Sequence, residues 1–275
     1  MGLSSYLLDK FLNHHFKGVA AGTAPATLYG SIHSANPALT GVNEVTTTYF
    51  SGRASYTATN FSSPATLGNY RQIVSTASLN FGTSIAAGSN LPYFGFWDAA
   101  TGGNFLGGFA FTDSLGSEIL LNFGSGDTVS RASGSIKIGL DIGSWSIYAR
   151  NLQLNWLKGT GMGSAPSTND VALATLLTAD GTITEITSTV ASGGRFSIPS
   201  ANWSAISTVG NTRQIQNTNN INFGASIAAA SGFNAIGLFS STNLIVFASV
   251  STQNIVVGQE LIIPASKFKV SLGNV

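Results

Sequence analysis

The sequence predicts a mainly β protein: two tandem β-sandwich or jelly-roll-like domains, each preceded by a short amphipathic helix. Three observations carry that expectation. The chain repeats itself at a spacing near 142 residues. Its apolar β-forming residues alternate with period two between Gly, Pro and Asn turns. Its 275 residues suit two average domains better than one.

The repeat is explicit. Shifting the chain by 142 lays residues 60–87 on 202–229, and 16 of those 28 positions are identical. Asn69-Tyr70-Arg71-Gln72-Ile73 meets Asn211-Thr212-Arg213-Gln214-Ile215, and Asn80-Phe81-Gly82 meets Asn222-Phe223-Gly224. Lys17-Gly18 and Ala24-Pro25 recur at a shift of 141, whereas Ile136-Lys137-Ile138 meets Phe268-Lys269-Val270 at 132. The second copy is therefore shorter, with deletions at turn-like sites such as Thr101-Gly102-Gly103, where loops tolerate them. A spacing this long means domain duplication and not a solenoid. The units are residues 1–143 and 144–275.

In the first unit, Tyr6, Leu7, Leu8, Phe11, Leu12, His15 and Phe16 form an apolar stripe at helical spacing. Ser4 or Ser5 suits the N-cap and Gly18 the stop. The second unit opens on Trp145, Ile147, Tyr148, Leu152, Leu154, Trp156 and Leu157, a less regular helical pattern. Strands are predicted at 27–33, 44–49, 53–60, 77–81, 93–97, 104–112, 119–123 and 135–140. Turns are predicted at Asn36-Pro37, Ser63-Pro64, Gly88-Ser89-Asn90, Gly102-Gly103-Asn104 and Gly124-Ser125-Gly126-Asp127. About eight short strands per unit point to a sandwich or jelly roll. The helix would cover an open edge of the sheets or reach a neighbour.

Composition narrows the function classes. Charged residues are 8% of the chain, against about 25% in ordinary soluble proteins. A surface hydrated by neutral hydroxyls and amides repels its neighbours weakly and favours association. Mean hydropathy is +0.24, yet no apolar run reaches the roughly 18 residues of a membrane helix, so no membrane insertion is expected. Net charge is +1 with no basic stripe, which disfavours nucleic acid as partner. Cysteine is absent, excluding disulfides and the usual thiolate zinc sites. No uninterrupted signal-peptide core follows the N-terminus.

Enzyme chemistry is not indicated, and no cofactor or metal is expected. No carboxylate pair, Gly-x-Ser-x-Gly elbow or phosphate loop appears. Asp98 sits in a Gly-rich turn, where Asp hydrogen-bonds its own backbone, and Ser240 replaces it in the second unit. His14 and His15 are adjacent on a helix, about 100° apart, and chelate poorly together. His33 reads as structural, and Trp97 and Phe239 as core. Trp145 and Trp156 lie near the seam, where they can pack the units together. Arg71 and Arg213 recur in Arg-Gln-Ile; they either reach a neighbouring subunit or span their own turn with stems packed on an aromatic. Tyr6, Phe11, His15, Arg71 and Arg213 are the candidate subunit contacts.

The order of motifs resembles a family. An amphipathic helix (Tyr6 to Phe16) leads to Thr23-Ala24-Pro25-Ala26 and a Leu28-Tyr29 strand. Then follow Asn43-Glu44-Val45, an Asn80-Phe81-Gly82 segment, Phe94-Gly95-Phe96-Trp97-Asp98-Ala99-Ala100-Thr101-Gly102-Gly103-Asn104-Phe105-Leu106 and a closing Gly-Asp-x-Val strand pair. This is similar to the small virion proteins of tailed phages commonly labelled tail fibre or structural proteins. The first copy matches along nearly its whole length, while the second loses the Asp-Ala-Ala-Thr-Gly-Gly turn. The resemblance implies a non-enzymatic virion subunit made in the bacterial host cytoplasm. The leading expectation is a head-exterior decoration or cement subunit, bound to the major capsid protein and to copies of itself; a trimer would present six similar domains. The alternative is a tail fibre or tail-tip subunit for host adhesion, with loops 86–92 and 228–234 carrying recognition. A carbohydrate-active enzyme is a remote third reading, since it would need paired carboxylates.

Overall fold

The computed structural model describes residues 2–68, 70–112, 117–141, 145–176 and 183–273. The first repeat runs α1 (Ser5–Phe16), β1 (Thr27–His33), α2 (Thr46–Tyr49), β2 (Ala54–Thr57), β3 (Ala65–Leu67), β4 (Tyr70–Val74), β5 (Leu79–Thr83) and β6 (Gly88–Leu91). It continues with β7 (Tyr93–Trp97), β8 (Phe105–Ala110), β9 (Leu121–Phe123), β10 (Thr128–Arg131) and β11 (Lys137–Asp141). The second repeat runs α3 (Ile147–Leu157), β12 (Thr168–Leu176), β13 (Ile183–Glu185), α4 (Thr187–Val190), β14 (Phe196–Pro199), β15 (Ser207–Val209) and β16 (Thr212–Gln216). It ends with β17 (Ile221–Ala225), β18 (Ala230–Ser240), β19 (Asn243–Ile255), β20 (Glu260–Ile263) and β21 (Lys269–Gly273). The mainly β expectation holds, with small antiparallel sheets and few helices. The seam predicted at residue 143 lies outside the described residues.

In the first repeat one sheet is ordered β2-β1-β7-β8 and a second β11-β4-β3. The second repeat matches them with β12-β18-β19, flanked by β13 and β14, and with β15-β16-β21. Among the described residues, no ladder joins a strand of one repeat to a strand of the other. β1 and β7 fall on their predicted residues. The segment 44–49 does not: it contributes one bridge, His33 to Glu44, then turns through α2. Its β-branched threonines are overridden because Thr46 Oγ1 accepts the Ile32 amide at 2.9 Å and the turn places Phe50 in the core. Gly88-Ser89-Asn90, predicted as a turn, belongs to β6 and pairs irregularly with β9; the turn signal was Asn90 at φ +54°. The period-two pattern missed β3, β4, β6 and β10; β3 has three residues, and β6 and β10 pair with register shifts.

The deletion predicted at the glycine turn is present. β7 and β8 are joined through residues 98–104, where Asp98 Oδ1 accepts the Asn104 amide at 2.6 Å and Oδ2 its side-chain amide at 2.7 Å. Gly103 (φ +71°) has no room for a Cβ, which would lie 2.6 Å from both Ala99 Cβ and Asp98 Oδ1. β18 and β19 instead close in a tight hairpin pairing Ser240 with Asn243. Asp98 is thus a turn residue, as expected.

Both helices form as predicted. Ser4 Oγ accepts the Leu7 amide at 3.2 Å, and Ser146 Oγ the Ala149 amide at 3.1 Å. Gly18 and Gly159 end them at φ +66° and +81°, a conformation that favours glycine. No helix among the described residues is long and apolar enough to cross a membrane.

Candidate functional site

The helices bring the two repeats together. Each is pinned at its start to its own repeat: Ser4 N donates to Leu106 O at 3.0 Å, and Ser146 N to Ile245 O at 2.9 Å. Each then packs across the other repeat. α1 lies on β16 and β21, and α3 on β4. The stripe residues Leu7, Leu8, Phe11, Leu12 and Phe16 are fully buried, and the core is one continuous cluster drawn from both repeats. Burying each such side chain is worth about 1.5–3 kcal/mol.

The contact is reciprocal. Arg213 of β16 pairs with Asp9 of α1, Nε to Oδ1 at 2.5 Å and Nη2 to Oδ2 at 2.7 Å. Arg71 of β4, its counterpart, donates from Nε to Asn151 Oδ1 of α3 at 2.7 Å. Asp9 and Asn151 both lie five residues beyond their N-caps. A Cβ on Gly18 would meet Ser200 and Pro166 O of the second repeat, while one on Gly159 would meet Ala58 and Pro25 O of the first. When residue i meets j′ and i′ meets j, the contact is isologous. The two repeats are therefore related by an approximate two-fold axis inside one chain.

This geometry places the five candidate contacts. Arg71 and Arg213 each span their own hairpin, to Thr66 and Thr208, and also reach the helix of the other repeat. Phe11 is 0% and His15 1% exposed; they face the second repeat within the chain and are closed to a neighbouring subunit. Tyr6 is half-buried, with Lys10 Nζ 5.1 Å from its ring centre. Trp145 and Trp156 pack the repeats together as expected: Trp145 lies 5.9 Å from the Phe16 ring, and Trp156 packs edge-on against Phe11 at 6.3 Å.

A second recurring constellation was not found from sequence. Arg53 lies 3.7 Å over Trp97 and pairs with Glu44 at 2.7 Å, also donating to Ala99 O and Gly102 O. Arg195 repeats this over Phe239, pairing with Glu185 at 2.8 Å and donating to Ser241 O. Burial alone would raise both carboxyls, but bonds from Arg53 and Thr46 hold Glu44, and bonds from Arg195 and Thr187 hold Glu185, below the usual carboxylate range. The recurrence of Glu44 as Glu185 at a shift of 141 and of Arg53 as Arg195 at 142 was the available signal. The Arg53 and Glu44 side chains are 8% and 21% exposed, against 28% and 27% for Arg195 and Glu185. Arg53→Ala is therefore expected to cost about 2 kcal/mol and Arg195→Ala about 1 kcal/mol. Urea titrations of both variants check this, and equal losses would show that burial does not set the strength.

Ser31, His33 and Trp97 form a polar network of the first repeat. Ser31 Oγ lies 2.8 Å from His33 Nε2 and accepts the Trp97 indole N–H at 3.0 Å, while His33 Nδ1 is 2.8 Å from Val42 O. Burial lowers the His33 pKa, and Ser31 and His33 are both 0% exposed, leaving no access for a substrate. The second repeat replaces all three with Ala172, Ala174 and Phe239, keeping no half-satisfied network. Among the described residues, no group of three His, Cys, Asp or Glu side chains could hold a metal. The loops 86–92 and 228–234 are largely taken up by β6 and by a bulged stretch of β18. Exposed apolar side chains recur instead at matching positions, Leu67 with Val209 at the β3–β4 and β15–β16 hairpin turns and Ile85 with Ile227 in the β5–β6 and β17–β18 connections.

No curated protein matches the chain. A family model does match, over residues 2–139, which is half of the chain. That span takes in α1 with its Ser4 cap, the Asp98 turn and the strands of the first repeat as far as Gly139 of β11. By that match the chain belongs to the podophage GP4 fiber I protein gp80 family, a family of phage virion structural proteins.

Proposed function

We propose that the protein is a non-enzymatic fibre-type subunit of the phage particle, with two copies of its fold paired by an internal two-fold. The fibre family match over the first repeat carries this reading. The matching exposed apolar positions, Ile85 with Ile227 and Leu67 with Val209, would face other virion proteins, further copies of the chain, or the host surface. A head-exterior decoration role is the second reading. It is favoured by the low charge of 8% and by two like units about one axis, which suit paired patches on a shell of major capsid protein.

Electron microscopy of purified protein mixed with whole virions and with empty heads separates the readings. Added density at the tail, or binding to host cells, is expected for a fibre subunit. Density only at regular lattice points on the head would overturn that reading in favour of decoration.

A further inference from the structure

A cleft beside β19 sets the second repeat apart from the first. Leu3 bridges Gly107 of β8, and Trp145 bridges Val246 of β19 in the same way. This fixes a local shift of 139, which sets Phe109 against Ala248. In the first repeat Leu3, Gly107, Phe109 and Ile138 line a cavity of only about 10 Å³. In the second, the equivalent Trp145, Val246, Ala248 and Val270 line a cleft of about 240 Å³. The exchange of a phenyl ring for a methyl group at Ala248 outweighs the larger side chains at Trp145 and Val246. A dry cavity of about 150 Å³ takes a benzene ring, so the cleft has room for one aromatic side chain.

Its walls are strand edges. β19 ends one sheet and β21 ends another. Beyond the bridge at Val246, the outer edge of β19 pairs with no described strand. The Trp145 indole donates to Ser271 O at 3.1 Å, holding one wall in place. An open edge beside a pocket is how strand addition recognises extended peptides: main-chain bonds give affinity and the pocket gives specificity.

We infer that this cleft binds an extended segment of a different virion protein, which adds to the β19 edge and inserts an aromatic side chain where the first repeat keeps Phe109. The first repeat supplies the chemistry of the occupant. A second copy of the chain is a poor donor, because among the described residues its exposed aromatic side chains are Tyr70 and Tyr148. Tyr70 lies in β4, paired on both sides, and Tyr148 lies in α3; neither presents an extended strand. The inference holds for a subunit on the tail or on the head.

The test uses the full chain and a fluorescent five-residue Ser/Thr peptide with a central Phe, read by anisotropy. Binding is expected, with an Ala-centred peptide at least about tenfold weaker, the worth of burying one phenyl group. Ala248→Phe is expected to abolish binding. Ala248→Leu, which adds less bulk beside Val246, is expected to weaken it severalfold with cooperative unfolding intact. Equal binding of the two peptides, or no effect of either variant, would overturn the inference. So would self-association of the chain that Ala248→Leu abolishes, since that gives the cleft to a second copy.

Discussion

Replacing Phe16 with alanine is expected to cost about 3–5 kcal/mol and to destabilise both repeats together. Phe16 is fully buried at the end of α1, its ring 5.9 Å from Trp145 and 5.1 Å from Trp203. The helix begins on Leu106 of the first repeat, so its far end ties that repeat to the second. Lys17 adds to the tie, donating from Nζ to Trp203 O at 2.7 Å. Because one apolar cluster spans both repeats, neither should unfold without exposing much of the other's core, and the chain should melt in a single transition. Urea unfolding followed by tryptophan fluorescence, which reports Trp97, Trp145, Trp156 and Trp203 together, and by far-ultraviolet circular dichroism checks this. Coincident curves displaced to lower urea are expected, and Phe16→Leu should lose only about 1 kcal/mol. Two separate transitions in the parent protein would show that the repeats are independent.

The local elements were legible because local physics decides them. Ser4 as a cap, Gly18 as a stop, β1, β7 and the Asp98 turn all follow from residues within one turn or one strand. The pairing of the repeats was not legible, because it depends on where a helix lies after leaving its own sheet. Its trace was present in Arg71 and Arg213, retained in both copies while their partners diverged to Asn151 and Asp9. Reading those arginines against a single repeat hid the fact that each serves the opposite helix. The same limit applied to residues 44–49, where β-branched side chains favour a strand but the Thr46 bond to Ile32 and the burial of Phe50 impose a turn. The family, by contrast, was legible in the first copy, and the match to residues 2–139 covers that copy.

Acid is expected to unfold the protein through the joint between the repeats. His15 is 1% exposed against Trp145, Phe16 and His14. Burial, with the neighbouring His14, pushes its pKa down to about 3, and burial also lowers those of His14 and His33. Above pH 6.5 these imidazoles are neutral in both the folded and the unfolded chain. Below it the unfolded chain takes up protons that the folded chain refuses, so stability falls as pH drops from 6.5 towards 3. His15 alone contributes about 1.4 kcal/mol per pH unit, or about 2 kcal/mol by pH 5. The depressed Glu44 and Glu185 carboxyls act in the same direction, but only below about pH 4.5. The window from pH 6.5 to 4.5 therefore isolates the histidines. Urea midpoints across it should fall steadily for the parent protein. His15→Leu keeps the volume and removes the proton, so its slope should be smaller by about 1.4 kcal/mol per pH unit. An unchanged slope would mean that His15 is protonated in the folded chain, which would require water or a carboxylate at the joint where the structure places two aromatic rings and a second imidazole.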